Sequence, residues 1–278
     1  MLKIENSILK SKYNNLLKFF EGKIVVVAFS GGIDSTIVAE IAHRSAKRMV
    51  ALTADSITVL PGEVDKAKDL AKKQGWEHKI VFINELEDNN FARNPTNRCY
   101  YCKAGLSKEL NKLFKEIDAD IIVEGTNFTE VTGEHRPGLQ ALKENEIKSP
   151  LLEEEFSKDE IRELASILDL PNYDKPSLAC LSSRFPYGVE ITPDKLKRVG
   201  LAERYIIDTY KINSLRVRDH EGLARIEISP NERSKILSIS IFDDLNEKLK
   251  SLGFTYVSID CRGYKSGSLN EMITISEL

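Results

Sequence analysis

KIVVVAFSGGIDS at residues 23–35 decides the fold of this chain. Its apolar run is rich in β-branched side chains and predicts a buried strand of a parallel sheet. The glycines at positions 31 and 32 interrupt the run, and apolar side chains then recur at helical spacing over residues 35–48. The stretch therefore predicts a strand, a glycine turn and a helix in succession.

Strands and helices continue to alternate after this unit. Further strands are expected at 49–53, 78–83, 119–124, 214–219, 223–228 and 255–260, and helices at 8–20, 61–74, 103–117, 156–168, 193–210 and 231–239. The alternation predicts an α/β fold with a doubly wound, Rossmann-like parallel sheet that binds ligands at the carboxyl ends of its strands. A turn-rich break after residue 185 predicts two domains, with a smaller α+β domain over 186–278 following the main domain over 1–185.

Composition narrows the class of protein. The chain has 278 residues, 30% of them charged, with a net charge of −3, so nothing suggests a polyanion as partner. The first twenty residues mix polar and apolar side chains, which argues against a signal peptide or a membrane span and predicts a cytoplasmic protein. In a reducing compartment, metal binding or catalysis is a better expectation for the four cysteines than disulfides.

The glycine turn is a candidate phosphate site. Glycines let the backbone approach phosphate oxygens, and the helix N-terminus supplies N–H donors and positive potential. The turn resembles the PP-loop of the N-type ATP pyrophosphatases, and that resemblance implies that Ser30, Gly31, Gly32 and Ser35 hold pyrophosphate and that Asp34 helps to place Mg²⁺. The turn lacks the Gly-Lys-Ser/Thr of a Walker loop and the spacing of the dinucleotide fingerprint. The alternative interpretation is a plain glycine turn with a helix cap.

Two other strand ends are candidates for nucleotide contact. Gly125 and Thr126 follow the strand predicted at 119–124, and Ala54 follows the strand at 49–53. Carboxyl ends of parallel strands meet at one edge of the sheet, so these residues are expected near the phosphate turn. An ordinary turn or a helix cap is the alternative at both places.

Three cysteines are candidate metal ligands or nucleophiles. Cys99 and Cys102 lie three residues apart in RCYYCK at 98–103, and Cys180 precedes another arginine by four positions. Neighbouring cations favour the thiolate form, which binds metals and attacks electrophiles. Unrelated buried thiols are the alternative, and a structural role is expected for Cys261.

These motifs together resemble one family over nearly the whole chain. The stretches that carry the resemblance are Ser30–Ser35, Cys99–Lys103, Glu124–Asn127, His135–Leu139, Ser149–Leu151 and Cys180 with Ser182–Arg184. They are similar to the PP-loop ATP pyrophosphatases and, among these, to the LarE-type sulfur transferases that serve nickel-pincer cofactor synthesis for lactate racemase.

The resemblance implies a reaction. ATP would adenylate a carboxylate of pyridinium-3,5-biscarboxylic acid mononucleotide, and sulfur delivery would then give a thiocarboxylate and AMP. In sacrificial members of the family, a cysteine at the position of Cys180 gives up its own sulfur. The resemblance also implies a homo-oligomer assembled partly through the second domain.

This chain departs from the single-cysteine pattern because it also carries Cys99 and Cys102. Three thiolates are one fewer than the usual four ligands of a [4Fe–4S] cluster, so a cluster on Cys99, Cys102 and Cys180 would leave one iron open to hydrosulfide. A catalytic enzyme fed by sulfide or another sulfur donor is therefore expected in preference to a suicide enzyme. Zinc bound by the same thiolates is the alternative metal.

Arginines are the expected ligands of the anionic substrate. Arg216 and Arg218 alternate on a predicted strand and face the same side, and Arg184 follows Cys180 closely. A solvated surface is the alternative for all three.

Three other functions compete with this interpretation. A tRNA sulfur transferase would have a basic RNA-binding surface. An amide-forming ligase would share the ATP site but would not need the cysteines, and a nucleotide sensor would bind ATP without turnover.

Overall fold

The computed structural model of the chain describes residues 4–131, 137–176, 179–265, 267, 268 and 271. Of the residues that carry the family resemblance, His135 and Arg136 lie outside these ranges. The contacts divide the chain into a first unit of Met1–Ser56, Gly62–Ile83 and Cys99–Ser177 and a second unit of Ile57–Pro61, Asn84–Arg98 and Leu178–Leu278. No helix in the described ranges is both long enough and apolar enough to span a bilayer.

The helices are α1 (Ser7–Phe20), α2 (Ile33–Ser45), α3 (Glu63–Gln74), α4 (Asn89–Ala92), α5 (Arg98–Glu116), α6 (Phe128–Val131), α7 (Pro137–Glu144), α8 (Pro150–Glu153), α9 (Lys158–Ile167), α10 (Pro193–Tyr210) and α11 (Ile239–Ser251). The strands are β1 (Ile24–Ala28), β2 (Arg48–Ser56), β3 (Glu77–Ile83), β4 (Ile121–Val123), β5 (Leu215–His220), β6 (Leu223–Ile228) and β7 (Tyr256–Ile259). Short 3₁₀ turns cover Glu85–Glu87, Leu181–Arg184 and Arg233–Ile236.

The first unit is built on a parallel sheet with the strand order β3-β2-β1-β4 among the described residues. Side chains of β1 alternate between its two faces. Val25 and Val27 join an apolar cluster with α1, α2 and α9, whereas Val26 joins a second cluster with α5. Because both faces are covered by helices, the predicted doubly wound α/β fold is confirmed.

The second unit holds a smaller sheet in the order β5-β6-β7. β5 and β6 pair antiparallel, and β7 joins β6 in parallel. The buried side chains of Val217, Ile226 and Leu249 contribute to its core. A small α+β unit in the C-terminal part of the chain is therefore present, as predicted.

Local signals account for the elements that were predicted best. The helix expected at 193–210 has the bounds of α10, because Thr192 caps it and Pro193 occupies its first turn. Ser157 and Glu160 form the capping box of α9.

Two predicted helix positions were wrong. The helix expected from residue 103 begins at Arg98, which places Cys99 and Cys102 in its first turns. The helix expected at 231–239 is only a 3₁₀ turn, and the helix of this region is α11.

Candidate active site

The phosphate turn joins β1 to α2 in the first unit. Gly31 has φ +71°, a left-handed conformation that favours glycine, and a Cβ built on it would lie 2.9 Å from Cβ of Ala67. Gly32 is the N-cap of α2, whose first backbone N–H groups have no partners within the helix. Glycine is therefore needed at position 31 of this turn, which opens onto the positive end of a helix.

Hydroxyl groups hold this turn in shape. Oγ of Ser35 donates to the carbonyl of Gly32 at 3.0 Å and accepts from the backbone N–H of Ser30 at 3.2 Å. Oγ of Ser30 accepts from the N–H of Gly32 at 3.3 Å. The turn is thus closed by hydrogen bonds from its own hydroxyl groups.

Asp34 lies in the first turn of α2 and receives donors from two distant parts of the chain. Nζ of Lys158 lies 2.8 Å from Oδ1 and 2.5 Å from Oδ2, and Nδ2 of Asn127 donates to Oδ1 at 3.0 Å. Asn127 is fully buried. The Asp34 carboxylate is therefore held in one orientation beside the phosphate turn.

Residues 124–127 contact the first turn of α2, whereas contact of Gly125 and Thr126 with a nucleotide stays a prediction. A Cβ built on Gly125 would lie 2.7 Å from the backbone nitrogen of Ser35, so only glycine fits there. The Glu124 carboxylate accepts from the N–H of Thr126 at 2.9 Å, from the Thr126 hydroxyl at 2.8 Å and from the Ser149 hydroxyl. Gly125 and Thr126 are thereby fixed against the first turn of α2.

A second group of polar residues contacts the other side of the turn. Nδ2 of Asn172 donates to the Gly31 carbonyl at 3.2 Å, and Nζ of Lys175 lies 3.0 Å from the same oxygen. Lys175 also pairs with Glu63 at 2.9 Å. Burial would raise the pKa of Glu63, but hydrogen bonds from Lys66 and Lys175 lower it to about 2.

Ala54 lies within β2 rather than after it, because β2 extends to Ser56. Its backbone is paired in register with Val81 of β3. Contact of Ala54 with adenosine stays a prediction.

Cys99 and Cys102 share one turn of α5 in the first unit. Cys99 is exposed, Cys102 is half-buried, and the cysteines of the described chain are thiols rather than disulfides. A helix N-terminus favours thiolate, so their position supports metal binding or nucleophilic chemistry. The neighbouring Lys103 lies 3.9 Å from the Glu124 carboxylate.

Cys180 belongs to the second unit and is exposed at the start of the 3₁₀ turn Leu181–Arg184. Its carbonyl accepts from Oγ of Ser183 at 2.8 Å and from Nη1 of Arg184 at 3.2 Å. The turn therefore presents the thiol to solvent while its backbone is held. Over the described ranges, no group of three or more His, Cys, Asp or Glu side chains is arranged to hold a metal ion.

The predicted substrate arginines lie in the second unit and are buried. Arg184 makes a two-pronged ion pair with Glu203 at 2.7 and 2.8 Å, and Arg218 pairs with Glu227 at 2.9 Å. Burial lowers the pKa of Arg216, and the positive charges of Arg184 and Arg218 lower it further. Two of the three arginines are therefore paired with buried carboxylates, and substrate binding by these residues stays a prediction.

Sequence reasoning missed several polar partners of the phosphate turn and of the arginines: Glu63, Asn127, Lys158, Asn172, Lys175 and Glu203. None lies in a glycine-rich or cysteine-containing motif that singles out its side chain. Asn127 was quoted only as part of the strand-end motif, although its neighbours Gly125 and Thr126 gave a signal that could have found it.

Several known proteins are similar to this chain over all or part of its length. The family model for the queuosine biosynthesis protein QueC matches residues 24–97. An uncharacterized protein of Synechocystis is 41% identical over 96% of this chain and 100% of its own. The pyridinium-3,5-bisthiocarboxylic acid mononucleotide synthase of Lactiplantibacillus plantarum is 35% identical over 91% of each chain. A tRNA-specific 2-thiouridylase of Rickettsia bellii is 29% identical over only 55% of this chain.

Proposed function

This chain belongs to the LarE family of ATP-dependent sulfur transferases, and from that membership we propose the reaction that it catalyses. ATP adenylates a carboxylate of pyridinium-3,5-biscarboxylic acid mononucleotide, and sulfur replaces AMP to give a thiocarboxylate. The product serves the synthesis of a nickel-pincer cofactor.

The observation that carries this proposal is the phosphate turn with its fixed carboxylate. Gly31 and Gly32 permit close approach of phosphate, Ser30 and Ser35 close the turn, and Asp34 is oriented by Lys158. ATP with Mg²⁺ is the ligand that this family and this arrangement imply.

The residues present fit a magnesium ion. Asp34 already receives two contacts from Lys158 and one from Asn127. A carboxylate has about four acceptor positions, so one remains for the metal. Mg²⁺ commonly takes one or two carboxylates together with phosphate oxygens and water. When bound, the ion would neutralise charge on the phosphates.

The proposed reaction has two group transfers, and besides ATP and the carboxylate substrate it needs only a sulfur donor. A carboxylate oxygen of the substrate attacks the α-phosphorus, the bond from that phosphorus to the bridging oxygen of the β-phosphate breaks, and pyrophosphate leaves. The sulfur nucleophile then attacks the acyl carbon and AMP departs with the electron pair of the broken carbon–oxygen bond. The backbone N–H groups of the turn and Lys158 supply the positive potential for the leaving pyrophosphate.

We assign sulfur delivery to the cysteines. Cys99 and Cys102 are one helical turn apart, so their thiols can serve one centre, and soft thiolates suit an iron–sulfur cluster. With Cys180 they would hold a [4Fe–4S] cluster, which would leave one iron open to sulfide. The alternative is sacrificial transfer from Cys180, which is exposed and becomes dehydroalanine in that case.

Two measurements on anaerobically purified protein test these proposals. Pyrophosphate release from ATP should require the biscarboxylate mononucleotide, and ATP binding without pyrophosphate release in its presence would favour a nucleotide sensor. Iron and acid-labile sulfide should each be about four per chain. Both should be lost in Cys99→Ala, Cys102→Ala and Cys180→Ala and kept in Cys261→Ala.

Absence of iron after anaerobic reconstitution would instead favour the sacrificial mechanism. Cys180 should then lose the mass of about one H₂S in a single turnover.

A tRNA substrate is the weaker candidate. The 2-thiouridylase matches 55% of this chain, whereas the mononucleotide synthase matches 91% of it.

We also propose that the protein is a homo-oligomer. The exposed apolar side chains of Leu237 and Ile239 in the second unit would suit an interface between copies of the chain. Light scattering on the wild type and on Ile239→Asp would test this assembly.

A further inference from the structure

The Gly31 carbonyl is held by two side chains that lie more than 140 positions farther along the chain. Nζ of Lys175 lies 3.0 Å from this oxygen, and Nδ2 of Asn172 lies 3.2 Å from it. We call this pair of donors the Gly31 lock. It occupies both acceptor positions of a carbonyl at the tip of the phosphate turn.

Each donor of the Gly31 lock is itself fixed by a buried partner. Lys175 pairs with Glu63 at 2.9 Å, and Glu63 is 5% exposed. Asn172 also donates to Oγ1 of Thr36 at 2.9 Å, and Thr36 is fully buried in α2. The two donors therefore connect the tip of the turn to the starts of α2 and α3.

The peptide between Gly31 and Gly32 is the one that these donors orient. A peptide is planar, and its N–H points opposite to its C=O, so fixing the Gly31 carbonyl also fixes the Gly32 N–H. Glycine on both sides makes this peptide easy to rotate as a unit, since no Cβ opposes the motion. The Gly32 N–H, at the start of α2, donates to Oγ of Ser30 at 3.3 Å, and a bound phosphate oxygen would take the place of that hydroxyl as its acceptor.

We propose that Asn172 and Lys175 are positioning residues that preset the Gly31–Gly32 peptide for the pyrophosphate portion of ATP. This role rests on the proposed ATP-dependent reaction. If the Gly31 lock favours pyrophosphate binding, thermodynamic linkage requires that bound pyrophosphate also favours the Gly31 lock. Pyrophosphate should therefore stabilise the segment that carries Asn172 and Lys175. Within this segment the Lys175 N–H donates to the Asn172 carbonyl at 3.1 Å, which provides a local reporter.

Calorimetric titration with magnesium pyrophosphate tests the proposal. Lys175→Met should weaken binding about 10- to 100-fold and Asn172→Leu about 2- to 10-fold, the ranges for losing a charged and a neutral hydrogen bond. Lys175→Arg should restore most of the affinity. AMP, which lacks the pyrophosphate portion, should bind all variants equally.

Lys66→Met is the matched control. Lys66 pairs with the same Glu63 carboxylate at 2.8 Å, and no contact of it with Gly31 is present in the described residues. Its loss should therefore change pyrophosphate affinity less than about twofold. If Lys175→Met folds poorly, the double variant Glu63→Gln/Lys175→Met removes the buried charge as well and should show the same loss of affinity.

Hydrogen exchange gives a readout that a purely structural role would not change. Pyrophosphate should slow exchange across residues 170–176 in the wild type and in Lys66→Met but not in Lys175→Met. Unchanged pyrophosphate affinity in folded Lys175→Met, or an equal loss of AMP binding, would overturn the lock alone. Failure of the wild type to bind pyrophosphate would overturn both the lock and the proposed reaction.

Discussion

The Lys158 ammonium lies 2.8 Å from Oδ1 of Asp34 and 2.5 Å from Oδ2, although 124 positions separate the two residues in the chain. Lys158 is the first residue of α9, and Asp34 is in the first turn of α2. The ion pair therefore brings a cation to the phosphate turn from a helix that contains no glycine-rich motif.

Lys158→Met should lower kcat/KM for ATP about 10- to 100-fold, because a charged hydrogen bond contributes about 1.5–3 kcal/mol. Lys12→Met is the matched control, since Lys12 pairs with Glu160 of the same helix and its side chain is 19% exposed against 23% for Lys158. Initial rates of pyrophosphate release measure the effect. An equal loss of kcat/KM in both variants would mean that the packing of α9, and not the positive charge beside Asp34, accounts for the effect.

Gly125→Ala should distort the phosphate turn, because its new Cβ would meet the backbone nitrogen of Ser35 at 2.7 Å. We expect a loss of about 1–3 kcal/mol in the free energy of unfolding, together with weaker ATP binding. Gly105→Ala is the control in α5, where the new Cβ meets nothing within 4 Å and should be neutral or stabilising. Denaturant titration measures the free energy of unfolding of both variants, and an ATP titration measures their affinity. Wild-type stability of Gly125→Ala would contradict the close approach of residue 125 to the Ser35 nitrogen.

Arg184→Met should destabilise the protein by about 3–5 kcal/mol, because it leaves the Glu203 carboxylate buried without its cation. The two side chains are 1% and 2% exposed. Arg48→Met breaks a pair with Glu77 in which the two side chains are 43% and 44% exposed, and it should lower the free energy of unfolding much less, because water and salt screen exposed ion pairs. Urea unfolding of the two variants would refute this ranking if their losses were similar.

Glu63 should make the protein acid-sensitive over a defined window. The pKa of Glu63 falls from 4.5 to about 2 on folding, so its ionised form stabilises the folded state above pH 4.5. That contribution is lost as the pH falls from 4.5 to about 2. Glu63→Gln should show a smaller decrease in the free energy of unfolding across this window than the wild type. Parallel pH profiles for the two proteins would exclude Glu63 as the cause.

The sequence was most informative where the signal is local. The apolar run before Ser30, the glycine turn and the Thr192–Pro193 helix start each depend on residues within a few positions of one another. Local spacing could therefore predict the parallel sheet, its phosphate turn and the bounds of α10.

The partners of the phosphate turn depend on distant residues and could not be predicted in this way. Lys158 and Lys175 are brought to the turn by the packing of α9 and of the segment that follows it, which no local pattern encodes. The early start of α5 was missed because its first turns carry Arg98, Cys99 and Cys102 rather than an apolar stripe. A resemblance between whole chains supplied the chemistry that spacing alone left open.

The discontinuity of the second unit limits how the chain can be divided. Ile57–Pro61 and Asn84–Arg98 belong to this unit, although they lie between elements of the first. The Thr58 carbonyl accepts from the Leu181 N–H, and the Ala92 carbonyl accepts from the Ile191 N–H. Gene fusion or exchange at a single junction would separate these two segments from the residues that form hydrogen bonds with their backbone carbonyls. Exchange of residues 178–278 as one cassette would therefore leave Ile57–Pro61 and Asn84–Arg98 without the backbone partners that they have in this unit.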